Sequence, residues 1–207
     1  MSLFITFEGG DGAGKTTQLR LLVERLKGAG QEVAAVREPG GTALGEQIRP
    51  WVKGVQLAPE TELLLFGAAR AQLVTEVIRP ALAAGKVVVA DRFADSTVAY
   101  QGHGRGLPLE LVQTVNRAAT GGLKPDVTFL LDLPVEEGLK RTGPAGKRKD
   151  NPAEAKFERE ELGFHRRLRS GFLRLAKEEP RRILVVDATR PVEEIAARIW
   201  ARVQPYL

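Results

Sequence analysis

The chain has 207 residues and a net charge of +5, and 43% of its residues are hydrophobic and 28% charged, a composition typical of a folded globular protein. It contains no cysteine, which excludes disulfides, thiolate zinc sites and cysteine nucleophiles. Its two histidines, His103 and His165, are too few for a histidine-rich metal site. The sequence also lacks a secretory signal pattern and any run of about 18 apolar residues. We therefore expect a cytoplasmic, membrane-independent protein with one domain over residues 1–207.

Short apolar runs alternate with helical periodicity along the chain. The predicted strands span residues 3–8, 33–36, 86–90, 127–133 and 182–188. The predicted helices span residues 16 to 28 or 30, 42–53, 59–84, 94–101, 108–120, 134–141, 154–178 and 191–204, with a glycine-rich loop after residue 101. Strands that are apolar throughout are buried on both faces. The pattern predicts an α/β fold, in which a parallel sheet is flanked by helices.

One segment breaks this alternation. Residues 142–152 read TGPAGKRKDNP, and such a polar, basic stretch rich in Gly and Pro predicts a short mobile lid over a site. Residues 140–182 hold 14 Lys and Arg against 7 Asp and Glu, whereas the rest of the chain is slightly negative. A local basic segment suits a small polyanion such as a nucleoside triphosphate at least as well as a DNA groove. We expect no nucleic-acid partner.

The turn after the first strand has the sequence of a phosphate-binding loop. Residues 9–16 match G-x-x-x-x-G-K-[ST] between a predicted strand and a predicted helix. Glycines let backbone N–H groups approach phosphate oxygens, and the helix N-terminus favours negative charge. Lys15, expected in a solvated loop, would reach the phosphates of ATP, and Thr16 would bind Mg²⁺. The predicted ATP-binding residues here are Gly9, Gly10, Asp11, Gly12, Ala13, Gly14, Lys15 and Thr16.

The third strand ends in an acidic residue followed by a basic one. Asp91 lies at the carboxyl end of its strand, where ligands bind in open α/β sheets. An acid there is typical of the Mg²⁺ ligand in P-loop enzymes, and the alternative is an N-cap for the next helix. Arg92 could pair with Asp91 or bridge the donor and acceptor phosphates.

Three segments resemble the thymidylate kinase family of the P-loop nucleoside-monophosphate kinases. They are FEGGDGAGKTT at residues 7–17, REPGGT at residues 37–42, and DRFADS at residues 91–96 with AYQG at residues 99–102. The resemblance covers nearly the whole chain and extends the ATP-binding loop to Thr17. It implies a five-stranded parallel sheet, a homodimer, and magnesium-dependent in-line transfer of a phosphoryl group from ATP to dTMP, giving dTDP for dTTP biosynthesis.

The resemblance also implies roles for individual side chains around dTMP. The residues placed around its sugar and phosphate are Asp11 at the 3′-hydroxyl, Arg37 at the phosphate and Tyr100 at the 2′ position. The residues placed at thymine are Phe66, which stacks on the ring, and Arg70, which bonds a carbonyl oxygen. Ser96, Thr97 and Gln101 are weaker candidates for the base and sugar. Arg37 has a strand-end salt bridge as its alternative, and Phe66 a place in the core.

Two departures from the family pattern are visible. Gly12 stands where one branch of the family carries an arginine. In the other branch the lid supplies this charge, and the basic residues here are Arg141, Lys147, Arg148 and Lys149. The predicted catalytic set is therefore Lys15, Arg92, Asp11, Arg141 and Arg148. The segment after the lid, residues 155–158, keeps the family's Phe-Glu but lacks the Asp-Arg expected before it.

Other functions remain open from the residues alone. A kinase of a deoxynucleoside or of another monophosphate would use the same loop, although Arg37 favours an acceptor that already carries phosphate. A nucleotide-switched partitioning ATPase would use the basic segment to bind DNA. Small GTPases are disfavoured because the guanine-reading motif N-K-x-D does not occur.

Overall fold

The computed structural model of the chain describes residues 2–142 and 156–207. Five strands form one sheet in the order β2-β3-β1-β4-β5, and all neighbours are parallel. The strands are β1 Leu3–Glu8, β2 Val33–Arg37, β3 Val87–Asp91, β4 Val127–Asp132 and β5 Ile183–Asp187. This confirms the predicted α/β fold with a five-stranded parallel sheet.

Helices cover both faces of the sheet. They are α1 Lys15–Gly28, α2 Ala43–Gly54, α3 Pro59–Leu73, α4 Arg79–Ala83, α5 Ala94–Thr97, α6 Leu109–Thr120, α7 Val135–Thr142, α8 Leu162–Glu178 and α9 Val192–Val203. Two π-helical segments, Val74–Ile78 and Val98–Gly104, join α3 to α4 and extend α5. Short 3₁₀ turns occur at Phe157–Arg159 and Gln204–Tyr206. Within the described residues, no helix is both long and apolar enough to cross a membrane.

Alternate residues of the central strand face opposite sides of the sheet, and both sides are apolar. Ile5 and Phe7 belong to a buried cluster that includes residues of α1 and α9. Phe4 faces the other layer, where it packs edge-on against Phe93 with ring centroids 5.0 Å apart. Because helices cover both faces, every position of β1 is buried, which explains why its residues are apolar on both faces apart from Thr6 and Glu8.

Two predicted elements are wrong. The helix predicted for residues 154–178 begins only at Leu162, because Phe157 turns inward in a 3₁₀ turn and packs against Tyr100 at 5.3 Å. The glycine-rich loop predicted after residue 101 is instead π-helical as far as Gly104. A Cβ on Gly104 would lie 2.6 Å from the Phe164 ring, so this glycine serves close packing rather than a loose turn. Of the predicted lid, Thr142 ends α7 and residues 143–152 lie outside the described residues.

Candidate active site

The glycine-rich turn joins β1 to α1 at the carboxyl edge of the sheet. Gly9, Gly12 and Gly14 have φ angles of 135°, 77° and 88°, a region that L side chains rarely adopt. A Cβ on Gly9 would also lie 2.4 Å from the Leu131 carbonyl oxygen. Gly14 is the N-cap of α1 and provides no side-chain cap. The first N–H groups of α1 are therefore available to an anion.

The side chain of Lys15 lies across this loop. Its ammonium group donates hydrogen bonds to the carbonyl oxygens of Gly9, at 3.0 Å, and Gly10, at 2.7 Å. The residue is only 7% exposed, so the expectation of a solvated lysine is wrong. Burial, reinforced by the charge of Arg92, lowers the pKa of Lys15 to about 8. A polyphosphate at this loop would supply the opposite charge that the buried ammonium group needs.

Thr16 and Asp91 lie together at the start of α1. The Thr16 hydroxyl donates to Asp91 Oδ2 at 2.7 Å, and parallel pairing of β1 with β3 places Asp91 beside Phe7, two residues before the loop. A hydroxyl and one carboxylate suit Mg²⁺, which keeps several waters and takes its remaining ligands from substrate phosphates. Among the described residues, no group of three or more His, Cys, Asp or Glu side chains could hold a metal by itself.

Arg92 forms the centre of a polar network. Its guanidinium donates to Asp11 Oδ1 at 2.8 Å, to the Tyr100 hydroxyl at 3.0 Å and to the Ser96 hydroxyl at 3.1 Å. Its carboxylate partner is therefore Asp11, not Asp91. Burial would raise the pKa of Asp11, but the charges of Arg92 and Lys15 outweigh it and lower the value to about 2. The network links the glycine-rich loop to the segment after β3.

Arg92 has a strained backbone, and Glu8, which sequence reasoning missed, binds the residues that follow it. The Arg92 φ angle of 73° is unique among the described non-glycine residues, and such a conformation costs on the order of 1–3 kcal/mol. The buried Glu8 carboxylate accepts hydrogen bonds from the backbone N–H of Phe93, at 2.8 Å, and from the Ser96 hydroxyl, at 2.5 Å. Burial, followed by the charge of Asp95, raises the pKa of Glu8 to about 8. The sequence feature that could have revealed Glu8 is a glutamate at the end of an otherwise largely apolar strand.

The Glu8 contacts also bear on the alternative role of Asp91 as an N-cap of the next helix. Helix α5 begins after Phe93, which has no side-chain cap. Glu8 instead accepts from the N–H groups of both Phe93 and Ser96, the latter at 3.3 Å. The interpretation of Asp91 as the N-cap is therefore wrong, and its carboxylate is left to Thr16.

A cleft of about 750 Å³ brings most of the predicted site residues together. It extends from the glycine-rich loop to the inner side of α3. The predicted residues that line it are Asp11, Gly12, Gly14, Lys15, Thr16, Thr17, Arg37, Phe66, Arg70, Asp91, Arg92, Ser96, Thr97, Tyr100, Gln101 and Arg141. Gly9, Gly10 and Ala13 belong to the same loop but are not part of this lining. Arg148 lies outside the described residues.

Two side chains predicted to bind the acceptor differ in their surroundings. Arg37 is exposed and pairs with Glu46 at 2.9 Å, so it lines the cleft and also forms the salt bridge expected as its alternative. Phe66 is only partly buried and lies 6.3 Å from the Phe157 ring. It contacts both the cleft and an apolar cluster.

Arg70 is held rigidly at the end of the cleft. It is only 1% exposed. It donates to the Glu38 carboxylate at 2.6 Å and to the Asn116 side-chain oxygen at 2.8 Å. Glu38 belongs to the Arg-Glu-Pro-Gly-Gly-Thr segment, but the sequence did not reveal this pairing.

Comparison with known proteins matches the chain to one family. The family model described as thymidylate kinase matches residues 7–199. The chain is 51% identical to the thymidylate kinase of Desulfosudis oleivorans, over 98% of this chain and 96% of that one. It is 52% identical to the thymidylate kinase of Deinococcus radiodurans, over 97% and 96%. The crystal structure of thymidylate kinase from Ehrlichia chaffeensis superposes with a TM-score of 0.77 at 35% identity, covering 98% of each chain.

The chain belongs to the thymidylate kinase family. This confirms the predicted resemblance, and with it the class of nucleoside-monophosphate kinases that phosphorylate dTMP to dTDP with ATP. The match spans nearly the whole chain, so it includes both the glycine-rich loop and the far end of the cleft.

The structure explains why position 12 is a glycine and not the arginine that one branch of the family carries there. A Cβ on Gly12 would lie 2.5 Å from the Gly138 carbonyl oxygen of α7, and a Cβ on Gly138 would lie 2.6 Å from the Asp11 carbonyl oxygen. The loop and α7 are therefore in direct backbone contact, which leaves no room for an arginine at position 12. Arg141, one turn further along α7, reaches toward the Gly12 carbonyl oxygen at 3.5 Å.

Proposed function

We propose that this chain is one kinase domain over residues 1–207 with a lid at 142–152, and that it acts in the cytoplasm as a magnesium-dependent homodimer. The observation that carries the proposed site is the network of Arg92, Asp11 and Tyr100. It connects the ATP-binding loop with the acceptor side of one continuous cleft. A donor and an acceptor bound at its two ends would meet beside the Arg92 guanidinium.

The donor end is built to hold polyphosphate. Lys15 and the N-terminus of α1 would bind the phosphate groups of ATP. Thr16 and Asp91 would hold Mg²⁺, which would neutralise charge on those phosphates when bound. Arg141, on the helix packed against the loop, is the described lid-side cation nearest to this end. Arg148 is proposed as a second catalytic cation from the lid.

The acceptor end is built for a nucleoside monophosphate. Arg37 would bind its phosphate with two donors of one planar group, and Phe66 would stack on the base. Arg70, which is paired with Glu38, would donate to a base oxygen. Tyr100, buried in an aromatic cluster, would leave little room for a 2′-hydroxyl, and Asp11 would meet the 3′-hydroxyl.

Phosphoryl transfer to this acceptor requires positioning of the reactants rather than a strong base. The acceptor is a phosphate oxygen that is already anionic, so no proton has to be removed before it attacks. Arg92 is fixed by three side-chain partners, and its charge would stabilise the transferring group as negative charge moves toward the donor side. A closed lid would exclude water and so prevent hydrolysis of ATP.

Exposed apolar side chains support the proposed dimer. Leu64 on α3 is 59% exposed and Leu111 on α6 is 41% exposed, and these two helices pack together. Trp51, on the neighbouring α2, is also exposed. A second copy covering this side would remove apolar surface from water. Sedimentation equilibrium of the wild type and of Leu64→Glu tests this, because a charge at a dimer interface should shift the mass toward the monomer.

A coupled ATPase assay across a panel of nucleoside monophosphates tests the activity. We expect turnover with dTMP, little with dCMP or dAMP, and loss of turnover in Asp91→Asn, which replaces the magnesium ligand with a neutral isostere. Arg20→Gln, on the exposed face of α1, is the matched control. Turnover of an unphosphorylated deoxynucleoside instead would contradict the proposal. So would salt-sensitive binding to DNA with no dTMP kinase activity.

A further inference from the structure

A fully buried carboxylate lies behind the acceptor end of the cleft. Glu62, on α3, has 0% exposure, and its Oε2 accepts from Lys156 at 2.6 Å and from Arg105 at 3.2 Å. Its Oε1 accepts from Gln101 Nε2 at 2.8 Å and from Arg105 Nε at 3.1 Å. Lys156 stands in the segment after the lid where the family's arginine is missing. Charge balance explains Lys156 and Arg105, but Gln101 needs another reason.

The contact with Glu62 determines which way the Gln101 amide points. A side-chain amide has a donating nitrogen and an accepting oxygen, whereas a carboxylate only accepts. The nitrogen of Gln101 must therefore face Glu62. Gln101 lines the cleft, and its Oε1 lies on the opposite side of the amide from the nitrogen that donates to Glu62. The side chain thus offers the cleft an acceptor, while Arg70, which lines the same cleft, offers only donors.

We propose that Glu62 is a positioning residue that sets base specificity by holding the Gln101 oxygen toward the cleft. An acceptor beside a donor complements thymine or uracil, whose ring N3–H donates and whose O4 accepts. Cytosine presents the reverse pattern, an accepting N3 and a donating amino group. The inference rests on the proposed function, since it assumes that the base lies between Phe66 and Arg70.

Glu62→Gln tests this because it allows the side-chain amide of Gln101 to rotate by about 180°, so that its oxygen and nitrogen exchange places. The oxygen of the new side chain would stay with Lys156 and Arg105 Nη2, which both donate to Oε2. Its NH₂ group would then face Gln101, at the loss of the hydrogen bond from Arg105 Nε. Gln101 would then turn its own oxygen inward and present NH₂ to the base. We expect the ratio of kcat/KM for dTMP to that for dCMP to fall roughly tenfold or more, with little change in KM for ATP.

Lys156→Met is the matched control. It removes a partner of the same carboxylate but leaves the contact with Gln101 in place, so it should cost stability and keep the dTMP to dCMP ratio within about threefold of the wild type. An unchanged ratio in Glu62→Gln would overturn the inference. An equal fall in both variants would also overturn it, because the ratio would then follow general disturbance of the cluster.

A second variant keeps the test valid if Glu62→Gln does not fold. Gln101→Met removes the amide without touching Glu62, and a base preference that survives it would overturn the inference. Failure of the proposed function gives a different result, since a wild-type chain that does not phosphorylate dTMP would refute that function directly. A wild type that prefers dTMP and a Glu62→Gln variant that keeps this preference would refute only the role of Glu62.

Discussion

The buried Lys15 side chain is expected to lower the free energy of unfolding of the protein near neutral pH. Its ammonium group is buried, and burial together with Arg92 lowers its pKa from 10.5 to about 8. Between these two values the folded state binds fewer protons than the unfolded state, so the free energy of unfolding rises with pH in this window. At about 1.4 kcal/mol for each pH unit, the whole difference corresponds to about 3 kcal/mol.

Replacing Lys15 with Met removes this titration and keeps most of the side chain's volume. From pH 7 to pH 10 the wild type should gain about 2.5 kcal/mol of unfolding free energy relative to Lys15→Met. Urea unfolding of both proteins at several pH values measures this difference, and other titrating groups cancel in the comparison. The variant should also lose roughly 10²–10³ in kcat, because it lacks a charge that stabilises the transferring phosphoryl group.

Lys27→Met is the matched control, since Lys27 lies on the same helix but is exposed. It should follow the wild type in both stability and kcat at every pH. Parallel stability curves for wild type and Lys15→Met between pH 7 and pH 10 would refute the reasoning. Near wild-type kcat in Lys15→Met would refute the role of the loop in binding ATP.

Three further predictions concern the cleft, the helix contact and the lid. Phe66→Ala should raise KM for dTMP roughly tenfold while KM for ATP changes little, because stacking on a base is worth about 1–3 kcal/mol; equal changes for both substrates would assign Phe66 to the core. Gly138→Ala should cost about 1–3 kcal/mol in thermal stability and lower kcat, because its Cβ would lie 2.6 Å from the Asp11 carbonyl oxygen. Gly28→Ala, with nothing within 4 Å of the added Cβ, should cost nothing. Replacing Arg141 and the three basic residues of the lid by Ala should lower kcat about 10³-fold or more with little change in dTMP affinity. Steady-state kinetics with an unchanged kcat would mean that Arg92 and Lys15 supply the stabilising charge. The four replaced residues are Arg141, Lys147, Arg148 and Lys149.

The sequence determined what depends on neighbours along the chain. Apolar runs without alternation predicted a parallel sheet flanked by helices, and all five strands lie in one parallel sheet, although the edge strand β2 is only partly buried. The glycine positions of the loop followed from backbone geometry, and three of them have positive φ. The spacing of Phe66 and Arg70 on one helix indicated one shared face, and both line the cleft.

Only the tertiary structure decided which charges meet. Glu8 reaches Phe93 and Ser96 across the sheet, although more than 80 residues separate them. Arg92 pairs with Asp11 instead of its neighbour Asp91 for the same reason, since adjacent strand ends bring distant residues closer than sequence neighbours. Lys15 appeared solvated in the sequence because burial depends on all the surrounding atoms. The pattern of residue types along a chain predicts whether a segment is a helix or a strand and which of its faces is apolar. The partner of a buried charge, however, is fixed by packing between elements.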